Sequence, residues 1–182
     1  MTRPVPDYPY DIFTHDAVRQ ARLIGLVRDA IVGARSPVPN ERLHITLGLT
    51  DDYRRLEAAL VDRMIAIGDT ISGEPIPIRL DRISAGTGSV ALRPTVQPRE
   101  LANLQKQIGR LVEYWGLTRT GWSFNPHLTL LYWDGQPFIR PITPIDWRAE
   151  ELVLIHSLIG ERRHITLGRW PLVQRQHSLS LV

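Results

Sequence analysis

The sequence of 182 residues contains no cysteine. This absence excludes disulfide bonds, thiolate nucleophiles, Cys-ligated zinc and iron–sulfur clusters. No apolar run approaches the ~20 residues that a transmembrane helix needs. The first 16 residues carry Asp7, Asp11 and Asp16 and lack a continuous apolar stretch, so they do not read as a secretory signal. A cytoplasmic location without membrane contact is therefore expected.

Lysine is nearly absent as well, because Lys106 is the one lysine among 22 basic residues. The planar guanidinium of arginine suits phosphate, although an even spread of arginines is equally what a coding bias gives. The formal net charge of only +3 argues against a protein that holds long duplex nucleic acid by charge alone. The sequence also lacks a phosphate-binding P-loop motif and any His and carboxylate cluster with metal-ligand spacing. No cofactor and no metal are predicted.

Hydrophobic periodicity predicts a mixture of helices and strands. Apolar residues recur at helical spacing in residues 16–33, 51–67 and 97–115. Short apolar or β-branched runs predict strands at residues 7–14, 42–49, 76–83, 89–93 and 126–133, and a hairpin of residues 152–159 and 164–169. The proline-rich segment 135–144 is predicted to be a loop. Because the elements do not alternate as strand, helix and strand, the expected fold class is α+β.

One four-residue pattern occurs twice within apolar, strand-like segments. Residues 44–47 read His-Ile-Thr-Leu, and residues 127–130 read His-Leu-Thr-Leu. Side chains at positions i and i+2 of a strand point to the same face. Each segment therefore presents one imidazole and one hydroxyl, with its aliphatic residues on the other face. If the two strands lie side by side, His44, Thr46, His127 and Thr129 form a symmetric cleft.

Such a cleft could catalyse displacement at the phosphorus of a phosphate ester. One imidazole can take a proton from an attacking water while the other protonates the leaving oxygen. The hydroxyls can hold the non-bridging phosphate oxygens as charge develops. A single His-x-Thr on a strand is more often structural than functional. Two copies in comparable contexts favour His44 and His127 as an acid–base pair and Thr46 and Thr129 as phosphate-binding residues.

A third copy complicates this interpretation, since residues 164–168 repeat the His-Ile-Thr-Leu-Gly of residues 44–48. Either the third copy is catalytic and another one is a decoy, or it is a coincidence on the last strand of the hairpin. The 37 positions between His127 and His164 are too few for a helix-bearing lobe of the same build. Coincidence is therefore favoured, with His164 reaching at most the rim of the cleft or a partner. His156, on the neighbouring strand, is expected to be structural.

The motifs and their flanks resemble the 2H phosphoesterase superfamily, and within it the LigT-like branch of 2′-5′ RNA ligases and cyclic phosphodiesterases. The first motif is similar over residues 38–47, which read Val-Pro-Asn-Glu-Arg-Leu-His-Ile-Thr-Leu. The second is similar over residues 124–130, which read Phe-Asn-Pro-His-Leu-Thr-Leu. Residues 168–172, Gly-Arg-Trp-Pro-Leu, resemble the end of that branch's final hairpin. The resemblance extends over about residues 8–172.

This resemblance implies two pseudo-symmetric lobes of antiparallel sheet with flanking helices around a central cleft, in one domain over residues 1–182. It also implies metal-independent opening of 2′,3′-cyclic phosphates on RNA ends or small nucleotides, with 2′-5′ RNA ligation as a related reaction. His44 and His127 would be the acid–base pair, either of them the base, and Thr46 and Thr129 would hold the phosphate. We expect a monomer whose partner is a nucleotide or an RNA with a cyclic phosphate end.

Three more side chains are candidates for substrate contact: Arg42, Tyr132 and Trp133. Arg42 shares the face of His44 and either meets phosphate or lies in water beyond the strand end. Tyr132 and Trp133 either stack on a base or pack in the core. Tyr132 also stands where the LigT-like branch often has a basic residue. Two other functions stay open: a nucleotide- or RNA-binding module without turnover, and a phosphodiesterase for a non-RNA cyclic phosphate or a signalling oligonucleotide.

Overall fold

The structure is a computed structural model that describes residues 10–14, 37–53, 55, 57–86, 88–158, 161 and 163–173, with the backbone alone for residues 10–14. In these ranges the strands are β1 (Tyr10–Thr14), β2 (Ile45–Leu49), β3 (Ile76–Ala85), β4 (Ser89–Arg93), β5 (Leu128–Tyr132), β6 (Phe138–Ala149), β7 (Glu151–Leu158) and β8 (Arg163–Pro171). The helices are α1 (Ala58–Thr70), α2 (Arg99–Tyr114) and a short 3₁₀ turn, Asn40–Arg42. The helix predicted over residues 16–33 lies outside the described residues.

The strands form one antiparallel sheet in the order β6-β3-β4-β5-β2-β1-β7-β8. Two four-stranded halves meet where β2 lies beside β5. That junction has a single register pair, Ile45 opposite Leu128. Within each half the pairing is far longer: β3 pairs with β6 from Ile76 to Ala85, and β7 pairs with β8 over the whole of β7. The predicted α+β class with two pseudo-symmetric lobes is confirmed.

Helix α2 packs an apolar face against the sheet and ends as its sequence predicts. Its buried residues follow the helical repeat and are Leu101, Leu104, Ile108 and Val112. Gly116, with φ of 65°, adopts the left-handed conformation just after the helix, and the next amide, of Leu117, donates a hydrogen bond to the carbonyl of Val112. The helix lies close against β2, since a Cβ added to Gly48 would come within 3.3 Å of Ile108. No helix among the described residues is long and apolar enough to cross a bilayer.

The prediction of a loop over residues 135–144 is wrong, because most of that segment belongs to strand β6. This strand pairs with β3 along its length and lies at the edge of the sheet. An edge strand tolerates proline because half of its amides need no partner strand. Pro141 and Pro144 fall at the irregular stretch of the register between Leu80 and Arg82. The prolines mark an interruption of the pairing rather than the end of the strand.

Helix α1 begins later than the predicted start at residue 51. Its first residue is Ala58, because the preceding acidic residues hold a loop instead of starting a helix. The carboxylate of Asp51 accepts a hydrogen bond from the amide of Thr120, and Asp52 forms an ion pair of 2.8 Å with Arg119. The apolar spacing nevertheless predicts the buried face of this helix. The predicted residues Leu60, Met64 and Ile67 are buried in the core.

Substitution of Gly68 tests how closely α1 packs on β8. A methyl group on Gly68 would overlap the Trp170 ring, which is held in place by a hydrogen bond of 2.7 Å from its Nε1 to Asp69. Gly68→Ala is expected to lower the free energy of unfolding by about 1–3 kcal/mol, as overpacking does. The matched control is Gly109→Ala in α2, which meets only the flexible end of Gln105 and should gain about 0.5–1 kcal/mol. Urea unfolding measures both changes, and equal effects would contradict the packing argument.

Candidate active site

The junction between β2 and β5 brings the two His-x-Thr motifs together. Ile45 lies opposite Leu128. Continued by one residue in each direction, this antiparallel register sets His44 across from Thr129 and Thr46 across from His127. Side chains that face each other in this way share one face of the sheet. The neighbouring aliphatic residues point to the other face, where they are 0–1% exposed: Ile45, Leu47, Leu128 and Leu130.

Each histidine of the pair is held by its own backbone in the same way. The Nδ1 atom of His44 lies 2.6 Å from the carbonyl oxygen of Arg42, and the Nδ1 atom of His127 lies 2.7 Å from that of Asn125. A carbonyl oxygen only accepts, so Nδ1 carries the proton in both rings. The Nε2 atom is then the basic nitrogen of each neutral ring. The two halves thus present their imidazoles in equivalent orientation and in the same tautomer.

A cavity of about 220 Å³ opens beside this junction. Its wall includes His44 and Thr129 from the motifs, with Arg42, Tyr132, Ser157 and His164 around them. Typical small-molecule sites occupy about 300–1,000 Å³. The cavity is therefore large enough for a phosphate and part of a sugar, and the remainder of a nucleotide must lie outside it. In the described ranges, no group of three or more His, Asp or Glu side chains has an arrangement that could hold a metal ion.

His127 lies in an environment that disfavours its charged form. Burial lowers the pKa of His127, and the nearby positive charge of Arg93 lowers this pKa further, against the opposing effect of the hydrogen bond to Asn125. Arg93 is fixed by hydrogen bonds of 2.8 Å to the Ser84 hydroxyl and 3.0 Å to the Asn125 side chain. This ring is therefore neutral at neutral pH.

The structure places the third copy of the motif differently from the sequence-based interpretation. His164, assigned to coincidence, lies in the wall of the same cavity, and its ring meets that of His44 edge-on with centroids 5.5 Å apart. Its Nε2 is 3.2 Å from a guanidinium nitrogen of Arg42. Thr166, by contrast, is exposed, so the third copy contributes a histidine but no hydroxyl. This contact depends on the order of the strands, which brings the end of the β7–β8 hairpin to the cavity. The sequence alone does not give that order.

Of the two aromatic residues predicted to contact substrate, one lies in the cavity wall and the other packs on the core. Tyr132 lines the cavity and is 53% exposed, which leaves its ring accessible. Trp133 is partly buried, packs on the core and meets Phe138 edge-on, so it lies outside the cavity wall. His156 is buried in β7, in line with the structural role expected for it, and burial lowers its pKa.

Comparisons with known proteins identify the family to which the chain belongs. A model of the 2′-5′ RNA ligase superfamily matches residues 14–160. The chain belongs to this superfamily. The resemblance to the LigT-like 2H phosphoesterases is thereby confirmed. No curated protein matches the sequence.

Solved structures of the superfamily's fold match nearly the whole chain. A crystal structure of a phosphoesterase has a TM-score of 0.79 and 21% identity over 93% of this chain and 99% of the other. Escherichia coli LigT in complex with 3′-AMP has a TM-score of 0.76 and 20% identity over the same shares. A protein of Thermus thermophilus, TT0787, has a TM-score of 0.73 and 17% identity over 92% of this chain and 100% of the other. At these identities the likeness establishes the fold.

Replacement of Arg93 tests the electrostatics around His127. Arg93→Gln removes the positive charge that opposes protonation of the ring, so the pKa of His127 should rise while burial still holds it below the ordinary value of 6.5. Titration of the histidine ring protons by nuclear magnetic resonance measures this shift. Arg79→Gln is the matched control, because Arg79 is exposed and ion-paired with Asp146. An unchanged pKa in Arg93→Gln would mean that the arginine exerts no influence on the ring.

Proposed function

We propose that this protein is a metal-independent cyclic phosphodiesterase that opens 2′,3′-cyclic phosphates of RNA ends or small nucleotides, with His44 and His127 as the acid–base pair. The observation that carries the proposal is the equivalent anchoring of the two rings. Each Nδ1 donates to the carbonyl two residues earlier, at 2.6 Å for His44 and 2.7 Å for His127. The cavity wall itself includes His44 but not His127. Two basic nitrogens held alike on adjacent strands suit the in-line displacement at phosphorus that we propose.

The proposed reaction gives each of the four motif residues a role. One imidazole takes a proton from water as the water oxygen attacks phosphorus. The bond from phosphorus to one ribose oxygen breaks, and the other imidazole, as imidazolium, gives that oxygen a proton. The products are a ribose hydroxyl and a phosphomonoester. The hydroxyls of Thr46 and Thr129 lie across the strand pair from His127 and His44, where they can donate to the non-bridging oxygens as charge develops.

We assign the base to His127 and the acid to His44. A general base must be neutral before it accepts a proton, and a ring whose pKa is lowered is neutral over a wider range of pH. Burial and Arg93 lower the pKa of His127. His44 instead lies at the cavity wall beside His164. The positive charge of Arg93 beside His127 thus favours the neutral form that a base needs, and His44 on the neighbouring strand is left as the acid.

A nucleotide substrate fits the comparisons. The matching LigT structures were solved in complex with 3′-AMP, ATP, phosphate and NADP⁺. The first of these has a phosphate on ribose O3′, the position that opening of a 2′,3′-cyclic phosphate can produce. The exposed ring of Tyr132 at the cavity wall offers a surface for a base outside the cavity. A 2′-5′ RNA ligase activity would use the same site with a ribose hydroxyl in place of water.

Hydrolysis of a nucleoside 2′,3′-cyclic phosphate in the presence of a chelator tests the proposal. Turnover should persist with chelator, and His44→Ala and His127→Ala should each lower kcat by about 10²- to 10⁴-fold, the usual contribution of a general acid or base. Thr46→Val and Thr129→Val should each cost about 10²-fold through lost stabilisation of charge. Arg79→Ala, at an exposed ion pair away from the cavity, is the control.

Two results would contradict the proposal. Turnover that disappears with chelator and returns with added metal would exclude the metal-independent mechanism. No turnover of mononucleotide or oligonucleotide cyclic phosphates by the wild type, with nucleotide binding intact, would indicate a binding module or a phosphodiesterase for another cyclic phosphate.

The dependence of kcat/KM on pH tests the assignment of the base. With His127 as base, kcat/KM rises with pH as the ring loses its proton, and the midpoint of this rise lies below pH 6.5 because the pKa of this ring is lowered from 6.5. At higher pH kcat/KM falls again as the general acid loses its own proton. In Arg93→Gln the pKa rises, so the rising limb should move to higher pH. If the limb stays in place while the His127 resonance shifts, the base is another group.

A further inference from the structure

The contact between Arg42 and His164 assigns a hydrogen-bonding role to the third histidine. A guanidinium nitrogen of Arg42 lies 3.2 Å from Nε2 of His164. Guanidinium nitrogens only donate, so this ring nitrogen accepts and carries no proton. His164 is therefore the acceptor in this contact and orients the arginine at the cavity wall. The ring also meets His44 edge-on, with centroids 5.5 Å apart.

The charge of Arg42 is not compensated within the part of the chain that the structure describes. Ion pairs there join Arg79 with Asp146, Arg119 with Asp52, Arg163 with Glu161 and Arg169 with Glu151, and Arg42 is in none of them. Its Nε atom is buried and has no hydrogen-bond partner among those residues. A partly buried guanidinium without a carboxylate stabilises an anion that enters beside it, and its planar fork matches phosphate.

The position of Arg42 separates it from the phosphorus under attack. The reacting group must lie near the Ile45–Leu128 pair, where both motif histidines reach it. Arg42 reaches with its guanidinium towards β8, which lies on the side of β2 opposite to β5 in the order of the strands. Its side chain contacts His164 in β8, on the wall that also contains Ser157, the register partner of His164. An anion held there is a different group from the reacting phosphate.

Resting on the proposed function, we infer that Arg42, oriented by His164, binds a second phosphate of the substrate, the one attached to the 5′ oxygen of the nucleoside that carries the cyclic phosphate. The His164 ring that orients Arg42 lies 5.5 Å from the His44 ring, so an anion on Arg42 is a neighbour of the reacting group and we assign it to the same nucleoside. The preferred substrate class is then a nucleoside 2′,3′-cyclic phosphate with a 5′-phosphate, either terminal or linked to a further nucleotide.

The binding test compares ligands that differ by one phosphate. Wild type should bind adenosine 3′,5′-bisphosphate at least about 10-fold more tightly than adenosine 3′-monophosphate in calorimetry, since hydrogen bonds between charged groups are the strong ones. In Arg42→Met this ratio should fall close to one. A dinucleotide with a 3′-phosphate distinguishes the two sources of the 5′-phosphate. Affinity equal to that for the bisphosphate indicates an RNA end, and lower affinity indicates a terminal phosphate.

A pair of variants separates orientation of Arg42 from mere packing by His164. His164→Phe keeps a ring beside His44 but cannot accept the hydrogen bond of Arg42, so the affinity ratio should fall several-fold. His164→Gln keeps an acceptor and should restore most of the ratio. With cyclic substrates, the His164→Phe effect should appear in KM for the 5′-phosphorylated substrate rather than in kcat. Arg79→Met, an exposed arginine, should leave the ratio unchanged, and thermal unfolding verifies that each variant is folded.

The failure of this inference is distinct from the failure of the proposed function. Equal affinity of the wild type for both ligands, or an equal loss for both in Arg42→Met, overturns the second phosphate site even when cyclic phosphates are hydrolysed. If Arg42→Met changes the unfolding temperature but the affinity for neither ligand, the contact with His164 serves only to stabilise the fold, and the inference is likewise overturned. If the wild type hydrolyses no cyclic phosphate, the calorimetric ratio still decides the inference because it needs no turnover.

Discussion

The register of one residue pair, Ile45 opposite Leu128, determines the candidate active site. Both side chains are almost fully buried, so the pair is fixed from the apolar side of the sheet. Since side chains alternate along a strand, this fixes the opposite face as well, where His44 and His127 lie. A slip of one residue would turn both imidazoles towards the core. The cleft is therefore positioned by core packing, and its polar residues need few contacts among themselves.

The two motifs are alike in backbone geometry and differ in the side chains that surround them. Each imidazole donates to the carbonyl two residues before it, but that residue is Arg42 in one half and Asn125 in the other. In the half that contains Asn125, the positive charge comes instead from Arg93 on a neighbouring strand, and it lowers the pKa of His127. A repeated geometry thus anchors the two rings alike, and Arg93 sets the electrostatic surroundings of His127.

Local patterns predicted the parts of the fold that local forces decide. Helix α2 and the β7–β8 hairpin were recognised because their apolar spacing and turn residues agree with the final packing. Strand β6 was missed, since its prolines are compatible with a strand only at a sheet edge, and the edge is a property of strand order. The start of α1 was misplaced because Asp51 and Asp52 bind Thr120 and Arg119, 69 and 67 positions away.

The three copies of the same motif show why the site could be predicted only in part. Two copies begin strands at the centre of the sheet, where Thr46 and Thr129 are half-buried. The third begins the edge strand β8, where Thr166 is exposed. The three copies contain the same residues, and the order of the strands gives these residues different surroundings. His164 nevertheless reaches the cavity, because the β7–β8 hairpin ends beside His44. Its contact with Arg42 makes it a hydrogen-bond acceptor, so the third copy repeats the histidine of the proposed acid–base pair but not its environment.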